Sequence, residues 1–573
     1  MILTKASKGS GQLGIAGFCN TNKFDTDFHR ATIEFFVRSG QPFSLCNCQH
    51  YRTFIQRIAK NPPAINRQTL SKKVEELTVI AKQRIKTLIQ GHKVCLTTDG
   101  WTSKYQGLSY VSLTCHFIDN SWKMRSLTLA CKNFSGSSKA PDHVRHITSV
   151  MGEFAIEPKN VSAIVTDTEN TMGAFGKIME RDKKICWLGC LDHRLQLVTN
   201  LACKENVIKR VRDLITSVNH STQTVEAIRA YQVLDDPNAI PVNLIQEVCT
   251  RWWTTFTTVE RLLRLKKHVN KAIDEFFIHE SYRLKDFEWE DLKSMVMLLE
   301  PFKMVQECME GENYVTASSI PSVLDYIRNR LTVMKDEVEF SEDVQGLAYE
   351  MLQKFDQEFT CPDNLPGSYF EYNKKSDAKT GRRNGISVEV MVATVLDPRF
   401  KMLIGIPETD KPLIWEEMKK RCMAIPSPEK TTALDQDNDS IATNNHPKMA
   451  EYYKWLQNQS LAIGEDTSVE LVTNQLDKDI LVTREIASYR SEPTLAPQRE
   501  PLGWWMGKEK EYPHLSQVAK NSLCILATSA PSERLFSTAG ITIANERSRM
   551  LPDLSESAIF LSKNWEWIDD IFE

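Results

Sequence analysis

Two aspartates sit where strand ends would bring carboxylates together. Asp99 closes an apolar-containing run over residues 94–99 and is followed by Gly100-Trp101-Thr102, a loop composition; Asp167 closes a second such run over residues 161–167. Side chains at the C-terminal ends of neighbouring strands converge on one crevice. Two carboxylates there repel unless a cation neutralises them, and hard oxygen donors suit Mg²⁺. A third carboxylate permits a pair of ions about 3.5–4 Å apart, which can activate a water or hydroxyl and stabilise the leaving oxygen of a phosphodiester. The chemistry is phosphoryl transfer without a covalent protein intermediate. Spacing alone is a weak signal, because the chain has 74 acidic residues and an Asp at a strand end often only caps the following turn.

The elements that must position these residues are legible as changes of period. From residue 25 to 90 apolar side chains recur at helical spacing, with Ile33, Phe36 and Val37, then Val74, Leu77, Ile80 and Ile85, which predicts a small helical N-terminal domain. The period then falls to two. Val111, Leu113, Cys115 and Phe117 alternate with Ser112, Thr114 and His116, and Leu127, Leu129 and Cys131 alternate with Ser126 and Thr128. Asp119-Asn120-Ser121 between them predicts an antiparallel hairpin. A helix around residues 143–154 and the strand over 161–167 complete the opening of a ribonuclease-H-like sheet. Residues 191–360 read as mostly amphipathic helix, residues 361–385 and 425–446 as surface loops, and the stretch from 497 onward returns to helical periodicity.

Further residues carry candidate roles beside bland ones. Cys190 and His193 lie one helical turn apart and share a face, so they could bind a metal with Cys186, or be a packed thiol and a hydrogen-bonded imidazole. Arg251 and Trp252 open a helix. A large aromatic there is usually core, yet an indole beside a guanidinium also suits stacking on a nucleobase. Residues 261–268 (RLLRLKKH), including Lys266 and Lys267, are either a solvated helix face or a phosphate track. Cys46-Asn47-Cys48-Gln49-His50 is too compressed to wrap one zinc and reads as structural.

Composition sets the surroundings. Lys plus Arg, 71, nearly balances Asp plus Glu, 74, so net charge is −3 and any nucleic-acid surface must be a local patch. Fourteen scattered cysteines and the lack of a leader pattern predict a reducing compartment. Apolar runs such as residues 295–299 fall far short of the roughly 20 residues a bilayer needs, so no membrane role is expected.

Six strings, in order, carry a family resemblance. Residues 96–102 (LTTDGWT) resemble the first-aspartate motif of hAT-superfamily DNA transposases, and residues 165–167 (VTD) with Asn170 and Met172 resemble the second. Cys190-Leu191-Asp192-His193 is similar to their Cys-x-x-His motif, with Asp192 in place of the usual small residue. Residues 250–252 (TRW) are similar to their Arg-Trp motif, with Trp253 where a polar residue is usual. Residues 396–401 (LDPRFK) are another family string. Trp504-Trp505, Tyr512-Pro513, residues 529–537 (SAPSERLFS), Arg547 and Asn564 resemble the C-terminal dimerisation region.

The resemblance covers roughly residues 25–573. It implies an α/β plus all-α protein, a ribonuclease-H-like mixed-sheet core interrupted by a large α-helical insertion and preceded by a small helical domain. The divisions it suggests are 1–90, 91–205, 206–496 and 497–573. It implies Glu533 as the third acid, so that Asp99, Asp167 and Glu533 would hold Mg²⁺ or Mn²⁺. Arg251, Trp252, Cys190, His193, Lys266 and Lys267 would lie on the DNA path, with the indole of Trp252 stacking on a flipped base. DNA and a second copy of the chain, joined through residues 497–573, are the implied partners, and the nucleus the implied place. The apolar residues Trp504, Leu523, Ile525, Leu526, Leu535, Phe536, Ile559, Phe560 and Leu561 exceed what a short helix pair would hide and also point to self-association. A BED zinc finger, usual at the start of such proteins, is not expected before Asp25. The alternative is a domesticated, catalytically silent dimeric protein that binds DNA or regulates transcription.

Overall fold

The structure, a computed structural model, describes residues 23–59, 62–102, 108–134, 139–247, 252–276, 280–360, 385–426, 467–542 and 552–569. Three helices come first, α1 (Lys23–Arg38), α2 (Gln49–Ile58) and α3 (Arg67–Ile89). The sheet opens with β1 (Val94–Thr102), β2 (Ser109–Ile118) and β3 (Met124–Asn133), continues through α4 (Ala140–Glu153) to β4 (Val161–Thr166), and ends through α5 (Asn170–Lys183) at the short β5 (Trp187–Gly189). Strand order is β3-β2-β1-β4-β5. β1, β2 and β3 pair antiparallel, while β1–β4 and β4–β5 pair parallel. The helical crossovers α4 and α5 are what parallel pairing requires.

The expected hairpin turn is built on one carboxylate. Asp119 Oδ1 accepts from Ser121 N at 2.8 Å and from Lys123 N at 2.9 Å. Trp122 takes a left-handed φ of 57° there and sinks onto Trp505, with ring centroids 6.1 Å apart. The β2–β3 register slips between Leu113 and Thr114, and Asn564 fills the gap. Its side chain accepts from Thr128 N at 3.0 Å and donates to Thr128 O at 2.8 Å.

The two faces of the sheet differ. Val94, Leu96, Val111, Leu113, Cys115 and Phe117 face a core that also takes Ile33 and Phe36 from α1, Leu70 and Val74 from α3, and Ile147 from α4. The N-terminal helices therefore share their core with the sheet instead of enclosing one of their own. The opposite face carries Cys95, Ala163 and Val165, which join the core of the helical region, and beside them the hydroxyls of Thr97 and Thr114.

That helical region runs through α6 (Leu191–Cys203), α7 (Asn206–Asn219), α8 (Thr222–Asp235), α9 (Trp252–Arg264), α10 (Lys266–Glu275), α11 (Asp286–Met309), α12 (Ile320–Met334), α13 (Glu342–Phe359), α14 (Val388–Leu396), α15 (Lys411–Ala424) and α16 (Thr467–Ser491). The next two helices, α17 (Pro501–Lys508) and α18 (Pro513–Leu523), share its core through Leu502, Trp505, Leu515 and Leu523. The chain returns fully to the sheet with α19 (Ala530–Thr542), against β1 and β2, and α20 (Pro552–Asn564), against β3 and α3. Most of the expected loops, 361–384 and 427–446, lie outside the described residues. No helix among the described residues is long and apolar enough to cross a membrane.

This packing corrects the sequence argument for self-association. Leu523, Ile525, Leu526, Leu535, Phe536, Ile559, Phe560 and Leu561 are all buried within the chain, and Trp504 packs half-buried against the same core. Sequence shows that such residues must be covered, but not that the same chain covers them: Leu523, Ile525 and Leu526 lie in the core of the helical region, and Leu535, Phe536, Ile559, Phe560 and Leu561 pack on the sheet side.

Candidate active site

Register sets the two aspartates level. Thr97 on β1 pairs with Val165 on β4 in parallel, and Asp99 and Asp167 each lie two residues further along. With a side-chain period of two, each points to the face of its paired residue, on strands roughly 4.8 Å apart. Gly100 N donates to Asp99 Oδ1 at 2.8 Å, and Glu169 N donates to Asp167 Oδ1 at 3.1 Å, which shapes the turn into α5.

Glu533 reaches this face because the start of α19 is clasped from several sides. Ser532 Oγ and Thr97 Oγ1 are 2.7 Å apart, and Thr97 Oγ1 meets Thr114 Oγ1 at 2.5 Å. Thr114 in turn meets His116 Nε2 at 2.7 Å, where burial drives the imidazole down to about 4 and keeps it neutral. Ser529 N donates to Cys190 Sγ at 3.3 Å, and Leu191 N donates to Ala527 O at 3.0 Å. Phe536 stacks on Trp101 with centroids 5.8 Å apart. Arg534 turns away to Glu310 O at 2.9 Å and to Glu312 at 3.2 Å, leaving Glu533 on the side of the aspartates.

The electrostatics follow. Burial raises the carboxyl of Asp99 to about 7, and repulsion from Glu533 and Asp167 adds to the rise. Burial also pushes Asp192 well above the carboxylate range, with Cys190, Glu310 and Glu533 adding to it, and its Oδ1 has no hydrogen-bond partner. His193 moves the other way. Burial would lower it, but the Cys190 sulfur, Glu533 and Asp167 outweigh that and raise it to about 10. Its Nδ1 stands 4.0 Å from Glu533 Oε1. The site gathers negative charge that one imidazolium leaves uncompensated. Oxygen donors with excess negative charge are the chemistry of a hard divalent cation. The set is not closed as placed, however, since among the described residues no three His, Cys, Asp or Glu side chains are gathered closely enough to hold one ion.

Other expected residues are placed differently. Trp252, read as the stacking indole, is only 3% exposed and packs edge-on against Phe302, with centroids 6.4 Å apart. Its neighbour Trp253 is 40% exposed; helical periodicity could not say which of two adjacent indoles turns inward. Arg251 lies outside the described residues. Cys190 is fully buried and ties the start of α6 to Ser529, just ahead of α19. Cys186 faces Ser387 at 3.8 Å and joins no metal group with Cys190 and His193. Lys267 is exposed but pairs with Asp235 at 2.8 Å, as does His268 at 3.0 Å, and Lys266 lies 5.1 Å from the Trp289 ring centre. The Thr97–Ser532 clasp was not read from sequence. The spacing of Ser529 and Ser532, one turn apart ahead of Glu533, was its only local trace.

A five-stranded mixed sheet with Asp99 near the end of β1, Asp167 just past the end of β4 and helices on both sides is an α/β arrangement compatible with an RNase-like domain. Residues 97–186 match the ZBED1 RNase-like domain, and residues 485–565 match the hAT family C-terminal dimerisation region. The chain is 22% identical to a Zea mays protein named as an AC transposase, over 91% of this chain and 63% of that relative. It is 21% identical to zinc finger BED domain-containing protein 4 of Homo sapiens, over 98% of this chain and 46% of the relative. It is 22% identical to zinc finger BED domain-containing protein DAYSLEEPER of Arabidopsis thaliana, over 92% and 72%. The chain thus spans less than two thirds of the first of these relatives and under half of the second. In these two stretches and along most of its length the chain is similar to hAT-superfamily transposase-like proteins.

Proposed function

We propose that the chain is a metal-dependent DNA transposase of hAT type, cleaving and transferring DNA strands in the nucleus as a dimer or larger homo-oligomer. One observation supports the reading: the parallel Thr97–Val165 pairing puts Asp99 and Asp167 at equivalent positions on neighbouring strands, and the contact of Ser532 with Thr97 brings the start of α19, which carries Glu533, to the same face. Asp99, Asp167 and Glu533 would hold Mg²⁺ or Mn²⁺, which supplies an activated water or hydroxyl and stabilises the leaving oxygen. The residues of the chain do the rest. His193 places positive charge beside Glu533, Cys190 and Ser532 hold α19 in place, and Trp253 offers an exposed indole next to the start of α9 for a base out of the stack. Association through residues 497–573 would use surface other than the apolar side chains already spent within the chain.

A second reading, a catalytically silent dimeric DNA-binding or transcription-regulating protein, is favoured by one observation, that the carboxylates are not gathered into a chelating set. Incubation of the protein with DNA carrying transposon ends and Mn²⁺ decides between them. Strand cleavage that disappears in Asp99→Ala and Glu533→Ala supports the enzyme. Unbroken DNA with the unaltered protein, alongside retained DNA binding, supports the silent reading.

A further inference from the structure

A groove of about 480 Å³ opens on the helical region where three helices begin. Glu205 and Asn206 at the start of α7, Phe287 and Glu288 at the start of α11, and Glu342 and Asp343 at the start of α13 line it, with Asp291 and Glu350 further along. Its floor is apolar, made by Val207, Met295, Val344 and Leu347.

The charge balance of the groove is one-sided. Among the described residues its one lining cation, Arg210, is already engaged, in an ion pair with Glu288 at 2.8 Å and donating to Arg283 O at 2.6 Å. Glu205, Asp291, Glu342, Asp343 and Glu350 make no ion pair among the described residues, although Asp291 accepts from Ser341 Oγ at 2.7 Å. Burial raises Glu205, and Glu350 and Asp343 raise it further. Acids in first helical turns are favoured by the helix dipole, which accounts for Glu288, Glu342 and Asp343. It does not account for Asp291 and Glu350, which lie beyond the first turn, or for Phe287, which is 61% exposed. The Phe287 ring already has the Lys285 ammonium 5.6 Å from its centre, so a cation is accommodated at that ring.

A phosphate backbone is repelled by such a surface, whereas a cationic amphipathic segment matches both its rim and its floor. We propose that this groove docks a short basic segment of a protein partner, in which Lys or Arg residues flank apolar side chains. The inference goes beyond the acid site on the sheet and does not depend on it. The test is fluorescence anisotropy of the full chain with a labelled synthetic helix-forming peptide of Lys and Leu. Saturable binding is expected. It should weaken as salt rises, and should weaken about tenfold both in the triple variant Glu205→Gln, Asp343→Asn, Glu350→Gln and in Phe287→Ala. Since Phe287 is exposed, its loss leaves folding intact, and circular dichroism checks this. The proposal is overturned by absence of saturable binding, by unchanged affinity in Phe287→Ala, or by equal affinity for a peptide with Ser in place of Leu, which would show charge attraction without the groove.

Discussion

The sheet crevice and the helical groove both collect carboxylates, and the protein supports them by opposite means. In the crevice, Asp99 lies on β1, Asp167 just past the end of β4 and Glu533 on α19, and burial, with repulsion from Glu533 and Asp167, lifts Asp99 to about 7. In the groove, Glu288, Glu342 and Asp343 lie in first helical turns, where the partial positive charge of the helix end favours them. One cluster opposes the fold and the other assists it. Residue type alone does not separate these two acid clusters; the backbone dipoles and the burial around the acids do.

The largest expected effect is on chemistry. Asp99→Ala and Asp167→Ala should each lower DNA cleavage by about a thousandfold or more, since each removes an oxygen donor on which the reacting charge depends. The groove variant Glu342→Gln should leave cleavage unchanged in the same assay. Equal loss in both would show that the two acid clusters do not differ in the way argued.

Stability should respond in the reverse sense. Asp99 titrates near 7 in the fold against 3.8 ordinarily, so the folded state holds its proton more tightly than the unfolded chain. The stability this contributes is complete below about pH 4 and is lost as pH rises through 7. Without metal at pH 8, Asp99→Asn should therefore be more stable than the unaltered protein by about 2 kcal/mol, after discounting for solvent screening. The gap should close on acidification toward pH 4. Mg²⁺ should raise the melting temperature of the unaltered protein and move Asp99→Asn much less. A variant less stable than its parent at pH 8 would contradict the repulsion.

The clasp that holds Glu533 in place gives a smaller effect. Ser532→Ala removes a buried hydroxyl 2.7 Å from Thr97, while Thr97 keeps Thr114, so about 1 kcal/mol of stability should go. Cleavage should fall further than that loss of folded protein explains, because the carboxylate is no longer fixed toward the strands. Equal falls in activity and folded fraction would reduce Ser532 to a packing residue.

How much of this was legible in the sequence follows from the range of each interaction. The hairpin around Asp119 and the position of Asp167 just past the end of β4 depend on alternation and turn residues within a few positions, and they appear where the pattern puts them. Asp99 does not end its strand, because Gly100, Trp101 and Thr102, which have loop composition, continue β1 by pairing with Val111, Tyr110 and Ser109 of β2. Glu533 carried no local signal of chemistry beyond its family string; its place depends on Ser532 meeting Thr97 and Ser529 meeting Cys190 across hundreds of residues. β5, only three residues long, was too short to show a period. Trp252 and Trp253 are chemically alike and adjacent, so burial of the first and exposure of the second follow from how α9 lies on α11, which sequence does not encode locally. Leu523, Ile525, Leu526, Leu535, Phe536, Ile559, Phe560 and Leu561 need cover, as their sequence suggests, but the helical region, the sheet and α3 that provide it lie far away in the chain.

The smallest effect tests the other half of the comparison. Glu342 opens α13 directly after the N-cap Ser341, whose hydroxyl accepts from Val344 N at 3.3 Å. Glu342→Gln keeps that cap and removes only the charge, so the helix end should lose about 0.5 kcal/mol. Because the interaction is with a solvent-facing dipole, the loss should shrink in high salt, whereas the gain in Asp99→Asn, on a half-buried group, should persist. Urea unfolding of both variants at low and high ionic strength would read this contrast as shifts of opposite sign. A stabilised Glu342→Gln would mean that repulsion among Glu205, Asp343 and Glu350 already outweighs the helix dipole there, and that the groove, like the crevice, is held against its own charge.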